Sequence, residues 1–441
     1  MNYTIYPKPL SGVVNAPSSK SITHRVLICA AFSDEPTIIE NPLICDDTIV
    51  TINALENIGV SFKYSDNKLT VTPPNNYNLK KHVIDCVDSG TSLRMLIPLF
   101  GNIFKGVTFS GSIKLIERLK ESNLDELNFD YILSENLITI KDFDKINNLT
   151  LHDENTSQLI SGTILAIAIV RKKGILHIIS NNNELNPYIL LTLNILASFG
   201  INYEINKNNN LFTISINKQM NEFSTTLTKP LLKSTHYYIE GDYSSASNIL
   251  ALGLFGENVV VKNLYKSSIQ GDKDFLNIIK EMNGDLEIGI DAVKANKSNL
   301  TATSVDLDHI PDLGPILMGI SSISKGTSTF SNFRRLEIKE SNRVYRTIEI
   351  LKSMGADISI SKDTIIIKGK PSLEGGVVID PANDHRLAMM ATVLTSKCNQ
   401  RVTIKNVECI NKSYPNFWED YRKLKGLFVE ETLEEGNNQN D

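Results

Sequence analysis

Cationic and hydroxyl side chains are concentrated in a few short stretches of this sequence. The first stretch, residues 17–25, places Lys20 and Arg25 among three serines and runs into an apolar segment. Hydroxyls and backbone N–H groups at the start of a helix bind anions, and the two cations would add full positive charge. A solvated helix start with incidental bases explains this stretch equally well when it is taken alone.

A turn of small residues forms the second stretch, residues 88–94, which ends at another apolar segment. Gly90 would let a ligand approach the backbone closely, although such turns also simply cap helices. Residues 117–118 (Glu-Arg) and 156–158 (Thr-Ser-Gln) are weaker signals. A surface salt pair and a helix cap explain them adequately.

A third stretch, residues 339–343, combines Lys339 and Arg343 with Glu340. If it is helical, Lys339 and Arg343 share one face and repel each other unless an anion or Glu340 offsets them. That arrangement favours ligand binding over a solvated face. Residues 383–386 gather polar groups before an apolar segment in the same way. Asp312 follows a proline, and a helix cap is the favoured interpretation of its carboxylate in isolation.

These stretches supply cations, hydroxyls and a few acids. They contain no Ser–His–Asp order, no G-x-G-x-x-G and no Walker sequence. The seven histidines form no H-x-x-x-H pair, so no metal site is expected. The inventory fits transfer chemistry on small molecules that carry phosphate and carboxylate groups, with catalysis by positioning and charge stabilisation.

Composition limits the class of protein. A chain of 441 residues predicts two domains, and a formal net charge of -5 argues against a broad basic surface for nucleic acid. A local cationic pocket remains compatible with that charge. No apolar run reaches membrane-spanning length and no secretion signal is visible, so a cytoplasmic protein is expected. Five cysteines without a C-x-x-C pair indicate reduced, mostly buried thiols.

The elements that must position these clusters form an internal repeat. An amphipathic segment ends at a glycine and is followed by an alternating strand, a polar turn and a second strand, at residues 55–71, 196–214 and 351–367. A looser copy ends at residue 286. Glycine suits the left-handed residue just past a helix. The repeat predicts an α/β fold built from copies of one unit, and the polar residues 225–235 are a candidate boundary between two halves.

The order of the clusters resembles that of the EPSP synthase (3-phosphoshikimate 1-carboxyvinyltransferase) family of enolpyruvyl transferases. Residues 17–25 resemble the family signature P-G-S-K-S-x-x-N/H-R, and the later motifs follow in the family's order over nearly the whole chain. These motifs are residues 45–48, 89–94, 117–118, 157–158, 187–188, 240–247, 270–272, 310–312, 338–341, 383–386 and 412–415.

The resemblance implies a two-domain, inside-out α/β barrel in which each domain contains three βαβαββ repeats. The N-terminal domain is expected at residues 19–239, and the discontinuous C-terminal domain at residues 1–18 plus 240–441. The active site is expected in the cleft between the domains, which would close over the ligands and exclude water.

The implied reaction transfers the enolpyruvyl group of phosphoenolpyruvate to the 5-hydroxyl of shikimate 3-phosphate and releases phosphate, as a step of chorismate and aromatic amino-acid biosynthesis. Asp312 is expected to be the general base, with Glu340 and Lys20 as candidates for proton delivery to the methylene carbon. The resemblance implies no metal, no organic cofactor, no nucleic acid or membrane partner, and a monomer.

The remaining roles that the resemblance implies are contacts to the two substrates. Shikimate 3-phosphate is expected to contact Lys20, Ser21, Arg25, Thr156, Ser157, Gln158, Asp312 and Lys339. Phosphoenolpyruvate is expected to contact Lys20, Gly90, Arg118, Gln158, Arg343, Arg386 and Lys412.

Six positions depart from the family pattern. Ser18 stands where Gly is usual, Asp88 where many members have Asn, and Asn342 where Asp is frequent. Leu185-Asn186 replaces a Ser-Lys pair, and Arg335 stands where some members have Asn. Leu185 removes a hydroxyl contact to the 3-phosphate, and Asp88 adds negative charge near an anion site. The proposed reaction centre itself is intact.

Three alternatives are disfavoured. The related transferase acting on UDP-N-acetylglucosamine carries a cysteine where residues 106–121 have none, and it has Lys-Asn where this chain has Lys20-Ser21. An RNA 3'-phosphate cyclase-like protein needs a histidine nucleophile near its C-terminus, but the last histidine here is His385. An inactive homologue is opposed by the retained Lys20 and Asp312.

Overall fold

The computed structural model describes residues 1–142, 148–153, 156–170, 173–181, 183–217 and 232–431. Residues 225–231, most of the candidate boundary stretch, lie outside the described residues. The chain divides into two compact units. Unit 1 comprises Met1–Pro17, Gly241–Ser268 and Asp272–Asp441, and unit 2 comprises Ser18–Glu240 and Ile269–Gly271.

Helices and short strands alternate along both units. The helices are α1 (Lys20–Ala31), α2 (Asp46–Asn57), α3 (Gly90–Ile103), α4 (Ile113–Lys120), α5 (Ser157–Val170), α6 (Pro187–Ser198), α7 (Tyr243–Phe255), α8 (Phe275–Glu281), α9 (Gly314–Ser321), α10 (Arg334–Glu337), α11 (Arg343–Ser353), α12 (His385–Thr395) and α13 (Phe417–Lys423). The strands are β1 (Asn2–Ile5), β2 (Gly12–Asn15), β3 (Thr37–Glu40), β4 (Ser61–Ser65), β5 (Lys68–Thr72), β6 (Val83–Asp85), β7 (Thr108–Ser110), β8 (Asp130–Leu133), β9 (Leu137–Asp142), β10 (Leu149–His152), β11 (Lys173–Ile179), β12 (Asn202–Asn208), β13 (Leu211–Asn217), β14 (His236–Tyr238), β15 (Val259–Lys262), β16 (Asp285–Ile288), β17 (Ala292–Asn296), β18 (Ser304–Asp306), β19 (Thr327–Ser331), β20 (Asp357–Ser361), β21 (Thr364–Lys368), β22 (Val378–Ile379), β23 (Val402–Ile404) and β24 (Phe428–Glu431).

The described strands form six four-stranded sheets, three in each unit. The sheet β10-β11-β13-β12 shows the common plan, with α5 and α6 following its first two strands in sequence. Its first two strands are parallel, with Leu149 opposite Leu176, and the last two are antiparallel to their neighbours. The predicted βαβαββ repeat is therefore confirmed.

Three strands join sheets whose other strands lie far away in the sequence. β1 lies between β23 and β24, with Tyr3 opposite Ile404. β2 pairs with β15, and β14 pairs with β3. These three strands complete three of the six sheets, and the other three sheets are built from strands that are consecutive in the sequence.

Glycines end the repeated helices as the sequence predicts. Gly59, Gly200 and Gly355 follow α2, α6 and α11 with φ values of +100°, +81° and +96°. This left-handed conformation strains residues with a Cβ atom. These glycines therefore stop the helix and turn the chain into the next strand.

The helices of each unit pack into an apolar core. In unit 2, residues 159–169 of α5 are all buried. A Cβ atom on Gly162 would lie 2.7 Å from the Met95 Cα atom, so this glycine permits close packing of α5 on α3. All five cysteines are buried and free of disulfides, as predicted. Among the described residues, no helix is long and apolar enough to cross a membrane.

Candidate active site

Asp312 of unit 1 lies in the 3₁₀ turn Pro311–Leu313, where its carboxylate meets three cations. Oδ1 lies 2.7 Å from Arg343 Nη1 and 3.2 Å from Lys339 Nζ, and Oδ2 lies 3.2 Å from Arg386 Nη2. The side chain caps neither this turn nor α9, so the helix-cap interpretation is wrong. Asp312 is instead the common partner of three residues that the sequence analysis selected.

Electrostatics keep the Asp312 carboxyl ionised. Burial by itself would raise its pKa, but the charges of Arg386, Lys339 and Arg343 outweigh burial and hold the pKa well below its ordinary value. About a quarter of the side chain remains exposed, so a ligand can reach it. The group is an ionised proton acceptor.

Arg343, the first residue of α11, is almost fully buried and is surrounded by acids. Its Nε lies 2.8 Å from Asp384 Oδ2, and its Nη2 lies 2.5 Å from Glu340 Oε2. Burial would lower the pKa of the guanidinium, yet the charges of Asp384, Glu340 and Asp312 raise it above the ordinary value. This cation therefore remains charged inside the protein.

Residues 339–343 do not form one helix, so Lys339 and Arg343 do not share a helical face. Helix α11 begins at Arg343, because the Asn342 side chain caps it by accepting a hydrogen bond from the Tyr345 N–H at 3.2 Å. Lys339 precedes the cap in a bend, and both cations still reach the same oxygen of Asp312. Asn342 thus supplies an N-cap at the position where the family often has Asp.

Arg386 has unused hydrogen-bonding capacity. It lies at the start of α12, where its backbone N–H donates to Asp384 Oδ1 at 3.0 Å. Only 6% of its surface is exposed, and Nε and Nη1 have no hydrogen-bond partner among the described residues. Buried donors are usually satisfied, so these two nitrogens favour an anionic ligand at this position.

Asp272 is a buried carboxyl in unit 1 for which the sequence predicted no role. It accepts a hydrogen bond from the Ser244 hydroxyl and is 1% exposed. Burial, reinforced by the negative charge of Asp312, raises its pKa to about 6. Asp272 belongs to the motif of residues 270–272 (Gln-Gly-Asp), which could have drawn attention to it. Only the fold shows that its carboxylate is buried.

Lys20 of unit 2 is the first residue of α1 and pairs with Asp47 in α2. The Lys20 Nζ lies 2.7 Å from Asp47 Oδ2, and both side chains are largely buried. Ser19 caps α1, so residues 17–25 do form a helix start, and the anion site predicted there stays a prediction. Asp47 lies in the motif of residues 45–48, for which the sequence predicted no role.

Arg25 is a buried cation that bonds to neutral oxygens. Its Nε donates to Thr192 Oγ1 at 2.7 Å, its Nη1 to the Ser21 carbonyl at 2.8 Å, and its Nη2 to Ser161 Oγ at 2.9 Å. It makes no ion pair with any described carboxylate. Burial lowers the pKa of the guanidinium to about 10. An anion bound here would supply the missing negative charge.

Gly90 begins α3 beside two guanidinium groups. A Cβ atom added there would lie 2.7 Å from Arg94 Nη1 and 3.4 Å from Arg118 Nη2. Arg94 Nη1 also donates to Gln158 Oε1 at 3.2 Å, and Gln158 Nε2 donates to Thr91 Oγ1 at 2.9 Å. The structure thus brings Gly90, Arg118 and Gln158 together. It adds Arg94, which was given no role from the sequence.

The remaining predicted contacts lie at the ends of short elements. Thr156 accepts a hydrogen bond from the Gln158 N–H at 3.1 Å, so the helix-cap interpretation of this stretch is correct. Ser157 is the first residue of α5, and Lys412 ends the 3₁₀ turn Val407–Lys412 of unit 1. These positions leave the proposed substrate contacts as predictions.

Two departures from the family pattern have local explanations. Asp88 accepts a hydrogen bond from Ser112, the residue that caps α4, so its carboxylate is part of a helix start. Leu185 is buried in the core of unit 2, and its neighbour Asn186 caps α6.

Comparison with known proteins identifies the family of this chain. The family model for EPSP synthase (3-phosphoshikimate 1-carboxyvinyltransferase) matches residues 5–421. The chain belongs to the EPSP synthase family. Two relatives named 3-phosphoshikimate 1-carboxyvinyltransferase are those of Clostridium novyi (strain NT), 34% identical over 97% of this chain and 98% of the relative, and Clostridium kluyveri, 32% identical over 96% and 97%.

Solved structures support the fold of this EPSP synthase family member. The EPSP synthase from Acinetobacter baumannii has a TM-score of 0.76 at 20% sequence identity, covering 98% of this chain and 100% of the other. The enolpyruvyl transferase NikO from Streptomyces tendae has a TM-score of 0.73 at 14% identity, covering 97% and 98%. At these identities the likeness concerns the fold, and it confirms the predicted two-domain α/β class.

Proposed function

We propose that this chain transfers the enolpyruvyl group of phosphoenolpyruvate to the 5-hydroxyl of shikimate 3-phosphate and releases phosphate. Membership of the EPSP synthase family supports this reaction. The observation that carries it is the single carboxylate, Asp312, held among Lys339, Arg343 and Arg386. The reaction needs a base for the hydroxyl and cations for the phosphate and carboxylate groups, and this cluster contains both.

Substrate binding would tune Asp312 as a base. A carboxylate whose pKa lies well below its ordinary value accepts a proton weakly, because efficient general bases titrate near the working pH. Anionic groups bound to Lys339 and Arg386 would offset the positive charge that lowers this pKa. The pKa of Asp312 would then rise as the substrates bind, and the base would be strongest when the hydroxyl is in place.

The bond changes balance without a cofactor. Asp312 removes the proton of the 5-hydroxyl while the oxygen of that hydroxyl attacks carbon two of phosphoenolpyruvate. At the same time an acid protonates carbon three. Glu340 and Lys20 are the candidates for that acid. The tetrahedral intermediate then loses a proton from carbon three and expels phosphate, whose charge Arg343 and Arg386 stabilise.

The substrate contacts remain assignments from the family resemblance, with structural support at several positions. Arg25 would bind the shikimate carboxylate together with Ser21, since it lacks an acidic partner among the described residues. The 3-phosphate would be bound by Thr156, Ser157 and Lys339, while Lys20 would contact both substrates and Gln158 would lie between them. Phosphoenolpyruvate would be bound by Lys20, Gly90, Arg118, Gln158, Arg343, Arg386 and Lys412.

We further propose that residues of both units serve this one reaction, with residues 19–239 acting as the N-terminal domain and residues 1–18 plus 240–441 as the C-terminal domain. The protein would work in the cytoplasm as a monomer, without a metal or organic cofactor. Size-exclusion chromatography with light scattering tests whether the protein is a monomer. Activity in the presence of a chelator tests whether the reaction needs a metal.

Phosphate release by the purified protein tests the reaction. Release is expected only when shikimate 3-phosphate and phosphoenolpyruvate are both present. Assays with each substrate alone provide the controls. Equal release with UDP-N-acetylglucosamine in place of shikimate 3-phosphate would overturn the assignment.

A further inference from the structure

A chain of buried polar groups connects α1, α2 and α3 in unit 2. The His24 Nδ1 lies 2.8 Å from Thr51 Oγ1, which lies 2.8 Å from Ser92 Oγ. Ser92 Oγ also lies 2.7 Å from Ser89 Oγ and donates to the Asp47 carbonyl oxygen at 3.2 Å. None of these five residues is more than 4% exposed. Water therefore cannot replace a contact that is lost.

The number of available protons sets the direction of each hydrogen bond. The Ser92 hydroxyl has one proton, which it donates to the Asp47 carbonyl, so Ser89 and Thr51 must donate to Ser92 Oγ. Thr51 then accepts from His24, whose proton lies on Nδ1. Burial lowers the pKa of this imidazole to about 3, which keeps it neutral. Its Nε2 has no hydrogen-bond partner among the described residues.

The two ends of this series of hydrogen bonds lie next to groups that are proposed to bind substrate. Lys20 lies one helical turn before His24 in α1, and its ammonium binds the Asp47 carboxylate at 2.7 Å. Ser89 caps α3 and directly precedes Gly90. The buried contacts of His24 therefore connect the helix that carries Lys20 with the start of α3.

We propose that His24 is a positioning residue for phosphoenolpyruvate binding, which acts through Thr51 and Ser92 to fix the Lys20–Asp47 pair relative to the Gly90 N–H. A buried nitrogen without a hydrogen-bond partner among the described residues, such as His24 Nε2, destabilises a fold. An apolar side chain would therefore fill this position better if the only role of the residue were packing. The proposal rests on the proposed function, since it concerns the binding of that substrate.

Paired variants at two positions test the proposal. In His24→Asn, a side-chain δ nitrogen occupies the place of Nδ1 and can still donate to Thr51, whereas His24→Leu places a methyl group there. Thr51→Ser keeps the hydroxyl, and Thr51→Val removes it with little change of shape. His24→Leu and Thr51→Val should raise the KM for phosphoenolpyruvate roughly 3- to 30-fold while kcat falls less than about threefold. His24→Asn and Thr51→Ser should stay within about twofold of the wild type in both constants.

The double variant His24→Leu/Thr51→Val separates positioning from packing. It removes both partners of one hydrogen bond, so thermal stability should recover relative to the single variants while the KM stays raised. A lowered Tm with unchanged KM in the single variants would overturn the proposal. An equal loss in His24→Asn and His24→Leu would overturn it too. A wild-type protein that releases no phosphate from the two substrates would instead overturn the proposed function, and this inference with it.

Discussion

Asp384 binds Arg343 through two hydrogen bonds, from Nε to Oδ2 at 2.8 Å and from Nη2 to Oδ1 at 3.3 Å. Asp384 is fully buried, whereas Asp312, the other aspartate that Arg343 contacts, is about one quarter exposed. Asp384 therefore compensates the charge of Arg343 permanently. Asp312 can release this cation to an anionic ligand without leaving a buried charge unpaired.

Replacing Asp312 should stop the reaction without preventing binding. We expect Asp312→Asn to lower kcat by roughly 10²- to 10⁴-fold, the usual contribution of a general base. Phosphoenolpyruvate affinity should not fall, because the amide no longer competes for three cations. Phosphate-release kinetics and calorimetric titration measure the two effects. Asp363→Asn, at an exposed turn of the same unit, is the control, and full activity in Asp312→Asn would remove this residue from the mechanism.

The buried guanidinium of Arg343 should not be replaceable by an amine. Arg343→Lys keeps one charge but cannot contact Asp312, Glu340 and Asp384 together, so we expect a loss of roughly 3–5 kcal/mol in the free energy of unfolding. Urea denaturation measures this loss. Arg346→Lys, one turn later in α11 and partly exposed, should change stability by less than about 0.5 kcal/mol. Equal effects of the two substitutions would contradict the special position of Arg343.

A methyl group at Gly90 should weaken phosphoenolpyruvate binding. Its Cβ would lie 2.7 Å from Arg94 Nη1, so the guanidinium must move and its contact with Gln158 must change. We expect Gly90→Ala to raise the KM for phosphoenolpyruvate roughly 10- to 100-fold, as small misplacements in active sites do. Gly289→Ala, in the β16–β17 turn, is the control. An unchanged KM would show that this helix start does not contact the substrate.

Asp272 should make stability depend on pH. The fold raises its pKa from 3.8 to about 6, so the stabilisation from its neutral form is complete below pH 3.8 and is lost as the pH rises through 6. Asp272→Asn is neutral throughout. Its unfolding free energy relative to wild type should therefore rise by roughly 2.4 kcal/mol between pH 4 and pH 7.

Urea denaturation at several pH values measures that difference. The same comparison with Asp363→Asn gives the baseline for an exposed aspartate of unit 1. A difference that stays constant between pH 4 and pH 7 would show that Asp272 is ionised in the folded protein, contrary to its environment.

The repeated unit was predictable because its signals are local. Gly59, Gly200 and Gly355 each stop a helix at the point where the sequence alternation of a strand begins. The pairing of β1 with β23 and β24 involves residues about 400 positions apart, and no local pattern identifies such partners. The sequence therefore predicted the repeated unit better than it predicted the pairing of strands that lie far apart in the chain.

The site was predictable in its residues and less so in its contacts. A single aspartate after a proline looks like a helix cap, and only the fold shows that Asp312 meets three cations. Lys339 and Arg343 suggest one helical face when counted along the sequence. They do not lie on one face, because the side chain of Asn342 caps α11, and the helix therefore begins only at Arg343.

The place of β1 constrains how the protein forms during synthesis. This strand is synthesised well before its partners β23 (Val402–Ile404) and β24 (Phe428–Glu431). At translation rates of roughly 5–20 residues per second, β1 waits about 20–80 s for them. Residues 18–240, by contrast, carry nearly all of unit 2 and can fold while the rest is still being made. The sheet of β1 can therefore be completed only after residue 431 has been made, when unit 2 has long had its own residues available.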